Sequence, residues 1–461
     1  MSGRLIGLLG VLALLPGLAR AEEGPYSNFL VGERSMGLGG AFVAVADDTS
    51  ALFHNPSGIA SLSTSSYAGG LWAFFEGTRK IENGYHTDLG DESLEHSAKL
   101  ALPSFLAGVV KFGKRDADGV RPHALGAALM SPFAEEYRFV AQLTGAGAVD
   151  RLEARHSDSA RWLGISYAYR LRPGLAFGIS VFGAERSVSH DEVEILAREG
   201  DTNTGRSFAR ASTVDVSAYQ AIVRLGMHID LAAELRAGIM FQPPGFDVAG
   251  SASAEHATST VIDGAVDVLT ERADDLNYHL PTPWEMRFGL GYLAHDGGLI
   301  SIDLSIFGPA GSKSNPLPLI ETENINYGLL VPRATYRRPS LRGALGFEAE
   351  ITEVFPIRGG IFFERSSAPE VLSESDVYVR DRVDRVGLAL SVGIRSGGYD
   401  IAIGSSGTLG MGEALGVDRE VRADNEDGLN YYAADVTDMR IMIFLGGGKL
   451  AVRQLVGSVF E

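Results

Sequence analysis

The 461-residue sequence contains no cysteine and, beyond residue 21, no long apolar run. Without cysteine the chain can form no disulfide, and no N-terminal cysteine can carry an acyl anchor. A membrane-spanning helix needs roughly 20 consecutive apolar residues. If the protein lies in a membrane, it therefore crosses it as a β-barrel, because only helices and closed barrels satisfy every backbone hydrogen bond in lipid.

The first 21 residues have the three parts of a secretory signal. Arg4 gives the positively charged start, residues 5–18 form an apolar stretch, and Ala19-Arg20-Ala21 fits a small-x-small cleavage site. The apolar stretch, at roughly 14 residues, is too short for a spanning helix. We predict that residues 1–21 are a cleaved signal peptide.

Positive charge is also scarce, since 40 Lys and Arg oppose 58 Asp and Glu, for a formal net charge of −18. Such a chain lacks the basic surface that nucleic acids require, so we predict no nucleic-acid partner. The ten histidines show no metal-ligand spacing. No nucleophile elbow or catalytic triad spacing stands out. We therefore predict no catalytic residue, no metal, no cofactor and no enzymatic activity.

What the chain does contain is alternation with the two-residue period of a β-strand. Residues 284–292 place Trp, Met, Phe, Leu and Tyr on one face and Glu, Arg and Gly on the other, and residues 386–394 repeat the pattern. Many segments run for about 9–11 residues, the length that crosses a bilayer at a tilt. The second face is rich in Gly, Ala and Ser, which is typical of a lumen with something packed inside it.

About fourteen such segments lie between residues 67 and 445, which predicts an all-β fold, a transmembrane antiparallel barrel. Short turns such as 172–174 and 396–398 alternate with long polar connections. In membrane barrels the short turns are periplasmic and the long loops extracellular. The predicted extracellular loops are 76–98, 188–213, 242–283, 308–340, 365–384 and 407–437.

A glycine-rich segment precedes the first strand and ends in Asn55-Pro56-Ser57-Gly58. This segment, residues 32–60, resembles the N-terminal hatch of the OmpP1/FadL/TodX family of outer-membrane transporters. Ser57 stands where the family has alanine. Residues 281–292 and 341–364 are similar to strands in the later part of the family's barrel. The domain prediction is therefore a signal peptide (1–21), a hatch that plugs the lumen (22–62) and a barrel (63–461).

The resemblance implies a fourteen-stranded, porin-like barrel in the outer membrane of a Gram-negative bacterium. It implies passive, hatch-gated transport of long-chain fatty acids or other hydrophobic small molecules. The expected partners are membrane lipid and the hydrophobic ligand, and we expect a monomer. The alternative is a FadL-like barrel of the PorV type, which serves as a secretion-system or surface-attachment partner and does not transport.

The candidate residues form two groups. Hatch packing and gating are assigned to Gly37, Gly39, Gly40, Asp47, Asp48, Asn55, Pro56 and Gly58. The glycines lack the flanking strand and helix of a phosphate-binding loop, and a turn or a salt bridge explains the adjacent acids better than a metal does. The second group is Arg287, Arg342, Arg358 and Arg395, predicted to face the lumen. They either form ion pairs that hold the hatch or receive the carboxylate of a ligand.

Overall fold

A computed structural model of the chain describes residues 31–102, 105–116, 118–199, 206–262, 264–277, 281–295, 297–311, 336–352, 354–372, 374–375, 381–420 and 428–449. The predicted signal peptide and the first residues of the predicted hatch, 22–30, lie outside these ranges. Among the helices of the described ranges, none has the length and apolar character needed to cross a membrane.

The N-terminal part of the described chain forms three short helical elements. These are helix α1 (Glu33–Gly37), helix α2 (Ala51–His54) and a 3₁₀ helix (Pro56–Ser61). Asn55 caps the 3₁₀ helix, because its side chain accepts a hydrogen bond from the backbone N–H of Ser57. Pro56 occupies the first helical position, where a missing N–H costs nothing.

Strands make up most of the remaining described residues. They are β1 (Ser66–Thr87), β2 (Gly90–Leu102), β3 (Phe105–Phe112), β4 (His123–Gly145), β5 (Ala148–Arg172), β6 (Leu175–Arg198), β7 (Arg206–Asp230), β8 (Leu235–Gln242), β9 (Phe246–Ile262), β10 (Ala265–Asn277), β11 (Glu285–Leu293), β12 (Leu299–Phe307), β13 (Ser340–Thr352), β14 (Phe355–Glu364), β15 (Glu374–Ser375), β16 (Arg382–Ser396), β17 (Tyr399–Glu420) and β18 (Gly428–Lys449).

These strands close into an antiparallel barrel, because β1 pairs with β18. A continuous ring of ladders passes through β1, β3–β8, β11–β14 and β16–β18. Together with β2, which lies beside β1, the closed barrel has 15 strands in the described chain. The sequence prediction of an all-β barrel with about fourteen strands is confirmed.

The predicted alternation is present in the barrel wall. In β5, Leu163 and Ile165 point outward and are 64% and 63% exposed, whereas Ser166 and Ala168 point inward and are buried. Residues 386–394 of β16 repeat the arrangement, with the aliphatic side chains outside and the small ones inside. The barrel wall therefore has an apolar outer face and a lumen face of small residues, and an apolar outer face is what contact with a bilayer requires.

Four of the segments interpreted as long loops are β-hairpins instead. Residues 76–98 belong to β1 and β2, 188–213 to β6 and β7, 242–283 mainly to β9 and β10, and 407–437 mainly to β17 and β18. Their outer faces are polar, so the apolar alternation that marks the other strands is weak in these parts of the sequence. β5 has 25 residues, which at about 3.3 Å per residue spans roughly 80 Å, so the barrel extends far beyond an apolar band of about 25 Å.

The two ends of the barrel therefore differ. At one end, the short-turn end, β5 and β6 are separated by only Pro173 and Gly174. At the other end, the long-hairpin end, paired strands project well past the apolar band. The described parts of the predicted loops 308–340 and 365–384 lie at this end, and most of the first loop lies outside the described residues.

Candidate functional site: the hatch in the barrel lumen

The described residues 31–62, which we call the hatch, fill the lumen near the short-turn end. Leu38, Phe42 and Leu52 are completely buried and belong to one hydrophobic cluster with inward-facing wall residues such as Phe182 and Ile222. The hatch therefore packs like a protein core against the wall, and its removal would leave a wide opening.

Glycines of the wall allow this close approach. A Cβ atom added to Gly226 would lie 2.2 Å from the Asn55 side-chain oxygen, and one added to Gly360 would lie 2.3 Å from the Leu38 carbonyl carbon. Similar contacts with the hatch backbone occur at Gly178, Gly238 and Gly346. These wall positions belong to five different strands, so the small-residue lumen is shaped around the hatch backbone.

The predicted hatch glycines lie at matching close contacts. Gly39 has a φ of +63°, which disfavours other residues, and a Cβ there would meet the Gly360 backbone at 3.1 Å. A Cβ on Gly37 would lie 2.2 Å from the Ser391 hydroxyl oxygen, and one on Gly58 would lie 1.8 Å from the Ala46 carbonyl oxygen. Gly40, also at positive φ, lies in the turn that follows α1.

Two buried side chains fix the middle of the hatch by hydrogen bonds to its backbone. Asp303 on β12 accepts from the N–H groups of Phe42 and Val43, at 2.7 and 2.8 Å. Asn55 donates to the carbonyl oxygens of Val43 at 2.9 Å and Met227 at 3.0 Å. Asn55 thus joins two parts of the hatch to each other and to β7.

A buried pair of arginines holds helix α2. Arg224 donates to the Phe53 carbonyl oxygen, its guanidinium carbon lies 3.9 Å from the centre of the Phe53 ring, and it pairs with Glu285 at 3.1 Å. Arg287 also pairs with Glu285, and its guanidinium lies 3.4 Å from His54 Nδ1. The glutamate is shared between the two cations.

His54 is held neutral in this environment. Burial and the nearby Arg287 charge lower its pKa well below the ordinary range. Its Nε2 lies 2.7 Å from the Val31 carbonyl oxygen and therefore donates, which leaves Nδ1 to accept from Arg287. The ring packs edge-on against Phe42 and Phe53.

A charged network fastens helix α1 near the short-turn end. Arg34 pairs with Asp47 and, at 2.9 Å between Nε and Oε2, with Glu348 of β13. Glu348 also binds Arg358 at 2.7 Å and Arg395 at 2.8 Å. The same two arginines reach Asp400 of β17, at 2.6 and 3.0 Å.

Two other acids of the hatch, Glu33 and Asp48, are buried with fewer arginine partners than Glu348 has. Burial and the nearby Asp48 carboxylate raise the pKa of Glu33 from 4.5 to about 8. Burial also raises the pKa of Asp48, whose carboxylate accepts from the Ser50 backbone N–H at 2.7 Å and from its hydroxyl at 2.6 Å. The second acid of the predicted pair therefore organises a local turn, and the first, Asp47, holds Arg34.

All four arginines predicted to face the lumen are already paired with carboxylates. Arg287 contacts Glu285, Arg342 contacts Glu364 at 3.3 Å, and Arg358 and Arg395 share Glu348 and Asp400. Arg342 also lies 3.5 Å from the Gly39 carbonyl oxygen. Within the described ranges, no group of three or more acids and histidines is arranged to hold a metal ion.

The comparisons identify the architecture. A FadL homologue from Pseudomonas aeruginosa superposes with a TM-score of 0.59 at 12% identity, covering 93% of this chain and 100% of its own. The P. putida toluene transporter TodX gives 0.58 at 13%, covering 91% and 98%, and the Ralstonia pickettii toluene transporter TbuX gives 0.51 at 16%, also covering 91% and 98%. The chain has the FadL-type fold. No protein-family profile and no curated protein sequence matches it.

Within this FadL-type barrel, the upper lumen at the long-hairpin end contains a large apolar cluster. Ile81, Leu94, Phe139, Leu152 and Leu415 are buried in one cluster, joined by aromatic residues from β1, β4 and β18. A layer of paired charges, which includes Arg79, Glu135, Arg385 and Asp438, also faces the lumen.

The wall of the FadL-type barrel is interrupted beside β4. The β3–β4 ladder ends where Phe105 pairs with Met130, and above it no ladder joins β2 to β4 in the described part of the chain. Instead, His96 Nδ1 lies 3.0 Å from the Arg138 carbonyl oxygen. This stretch of wall is held by fewer backbone hydrogen bonds than the wall elsewhere.

Several residues that position the hatch were not predicted as site residues. Asp303 is a lone acid in an apolar strand, a pattern that could have been noticed, since a buried charge needs a partner. Arg34 lies in the glycine-rich segment itself and gave no signal of its own. The contacting wall glycines were visible only as a general excess of small residues.

Proposed function

We propose that this protein is an outer-membrane channel for hydrophobic small molecules, gated by residues 31–62. The observation that carries the proposal is a core-packed hatch inside a barrel whose outer band is apolar. A structural barrel without a permeant would have no need for a separate plug shaped to its lumen. In this proposal the short-turn end is periplasmic and the long-hairpin end is extracellular.

The apolar upper lumen supports a hydrophobic permeant. Burial of an alkyl or aromatic group there is worth about 0.8 kcal/mol per CH₂, enough to draw it from water without an energy source. Once the hatch has moved, the interrupted wall between β2 and β4 would offer a sideways route into the membrane, so the permeant need not travel the whole length of the lumen.

Charge favours an uncharged permeant over a fatty acid. The four candidate anchor arginines are occupied by Glu285, Glu348, Glu364 and Asp400. A fatty-acid carboxylate would have to displace one of these partners and leave it buried and unpaired, which is costly. TodX and TbuX are described as toluene transporters, and a neutral aromatic hydrocarbon is the probe that fits best.

Uptake by whole cells tests the proposal. A Gram-negative host that lacks its own transporter of this type would express the full chain, an empty vector or a variant without residues 22–60. We expect faster uptake of radiolabelled toluene with the full chain than with the vector, and a smaller effect on radiolabelled oleate. Equal toluene uptake with the vector would contradict transport.

The hatch variant separates gating from transport. Its lumen should admit polar solutes, so hydrolysis of nitrocefin by a periplasmic β-lactamase should accelerate relative to the full chain. Unchanged nitrocefin hydrolysis in a correctly inserted variant would mean that residues 22–60 do not close the channel.

A second candidate function, a docking partner in secretion or surface attachment, is favoured by one observation. The β9–β10 hairpin exposes Val266 and Val268 at 65% and 63%, beyond the apolar band. Replacement of both valines by Ser would weaken co-purification of a partner if docking is the function, and would leave toluene uptake unchanged if transport is.

A further inference from the structure

The extracellular end of β17 leaves the barrel wall. Along most of the strand, buried and exposed residues alternate, but Ala414, Leu415, Gly416 and Val417 are buried one after another. Leu415 and Val417 lie on one face of the strand and Ala414 and Gly416 on the other, so both faces of this stretch are covered. Residues 417–419 also pair in parallel with Tyr85–Thr87 of β1, in addition to their antiparallel ladder with β18.

The last residue of this stretch reaches a strand on the far side of the barrel. Arg419 donates from Nε to Glu194 Oε1 at 2.8 Å and from a terminal nitrogen to Oε2 at 3.2 Å. Arg210 of β7 binds the same carboxylate at 3.2 Å. All three side chains are at least 95% buried, so the pairs are shielded from solvent and from salt.

The distance that this contact bridges is large. Five strands of the ring separate β17 from β6 by the shorter way, through β18, β1, β3, β4 and β5. A round barrel of fourteen strands tilted by about 40° would be roughly 28 Å across. An arginine and a glutamate together reach only on the order of 12 Å. The mouth is therefore pinched, with β17 lying across it.

Apolar packing seals the space beneath the contact. Leu415 and Val417 belong to the same buried cluster as Leu152 and Tyr431, and each of the first three is completely buried. Leu152 lies directly opposite Glu194 in the β5–β6 ladder. A permeant arriving from outside along the barrel axis meets β17 before it meets the apolar lumen.

We propose that residues 414–419 form a strap that closes the extracellular mouth, and that Arg419, Glu194 and Arg210 are the clasp that holds it. The protein then has two gates, the strap above this apolar cluster and the hatch below it. The direction of passage rests on the proposed function, but the closure itself does not.

Labelling of an introduced cysteine tests the strap without any transport assay. Because the chain has no cysteine of its own, only the introduced thiol can react. Ala154 is buried in the cluster, one inward-facing position below Leu152. In micelles, Ala154→Cys should react slowly with fluorescein maleimide. Adding Arg419→Ala should raise the rate at least tenfold, because it leaves the Glu194 charge partly uncompensated. Adding Arg419→Lys, which keeps the charge, should leave the rate close to the Ala154→Cys background.

Arg151→Ala is the matched control, because Arg151 pairs with Glu153 on the exposed outer face. It should leave the labelling rate unchanged. The strap is contradicted if Ala154→Cys alone reacts as fast as an exposed cysteine, if Arg419→Ala has no effect, or if Arg151→Ala has the same effect. Absence of toluene uptake alongside the expected labelling pattern would reject the proposed transport and leave the strap intact.

Discussion

At the scale of the residue, the hatch fits the lumen because several residues of the barrel wall are glycines and have no side chain. Gly226 and Gly360 have no side chain because hatch atoms occupy the place where Cβ would be, the Asn55 side chain at Gly226 and the Leu38 backbone at Gly360. The sequence predicts that small residues face the lumen, because the strand period separates the two faces. It does not predict which glycines touch the hatch, because that depends on strand register and on the path of a non-strand segment.

Gly226→Ala and Gly360→Ala should each loosen the hatch. The added methyl groups overlap hatch atoms at 2.2 and 2.3 Å, and overpacking of this kind costs about 1–3 kcal/mol. We expect faster proteolysis within residues 31–62 and a lower melting temperature. Gly183→Ala is the control, because its nearest neighbour would be 3.8 Å away; equal effects at all three positions would contradict specific packing.

Glu33 should make hatch stability depend on pH. Its pKa is raised from 4.5 to about 8, so the packed hatch holds a proton that the released hatch loses above pH 4.5. Stability therefore falls as the pH rises between these values and levels off above about pH 8. The Asp48 and Asp400 charges oppose ionisation and that of Arg358 favours it.

Hatch proteolysis measured from pH 5 to pH 9 checks this expectation. The wild type should become more susceptible as the pH rises, and Glu33→Gln should flatten much of the profile. If the Glu33→Gln profile is as steep as that of the wild type, the pH dependence of hatch proteolysis comes from another group. Asp48, whose pKa is also raised, would then be the next residue to substitute.

At the scale of the element, the hatch is a segment without strand structure held by a few buried polar contacts. The sequence resemblance places the segment and its Asn55-Pro56 corner, and the structure gives that corner a physical role as a cap for the 3₁₀ helix and a tie to β7. Two carboxylates that hold other parts of the hatch, Asp303 and Glu348, lie 260 and 314 residues further along the chain than the hatch residues they bind, Val43 and Arg34. Contacts at that separation cannot be found from spacing.

Asp303→Ala should release the middle of the hatch. It removes the acceptor for two buried backbone N–H groups, and each unsatisfied group costs about 1–3 kcal/mol. We expect increased nitrocefin permeability in cells with the barrel still folded. Ser301→Ala, on the same inward face of β12, is the control; a similar leak in both variants would contradict a role for Asp303.

At the scale of the whole molecule, the apolar band and the approximate strand number follow from alternation, and the closed ring follows from the need to satisfy every backbone hydrogen bond in lipid. The length of the barrel does not, because a projecting hairpin has a polar outer face and therefore looks like a loop in the sequence. The charges illustrate the same limit. The sequence places Arg358 and Arg395 in the lumen but leaves open whether they bind a ligand, and only their contacts with Glu348 and Asp400 show that both are occupied.

The central claim is that transport requires movement of the hatch against the wall, and a reversible cross-link tests it most directly. Ala41 of the hatch and Ala344 of β13 share a buried cluster, and the cysteine-free chain allows Ala41→Cys and Ala344→Cys to form the only disulfide. We expect the oxidised double variant to lose toluene uptake and to regain it on reduction, while Ala41→Cys alone is unaffected. Full uptake through a barrel whose cross-link is verified by mass spectrometry would contradict the account.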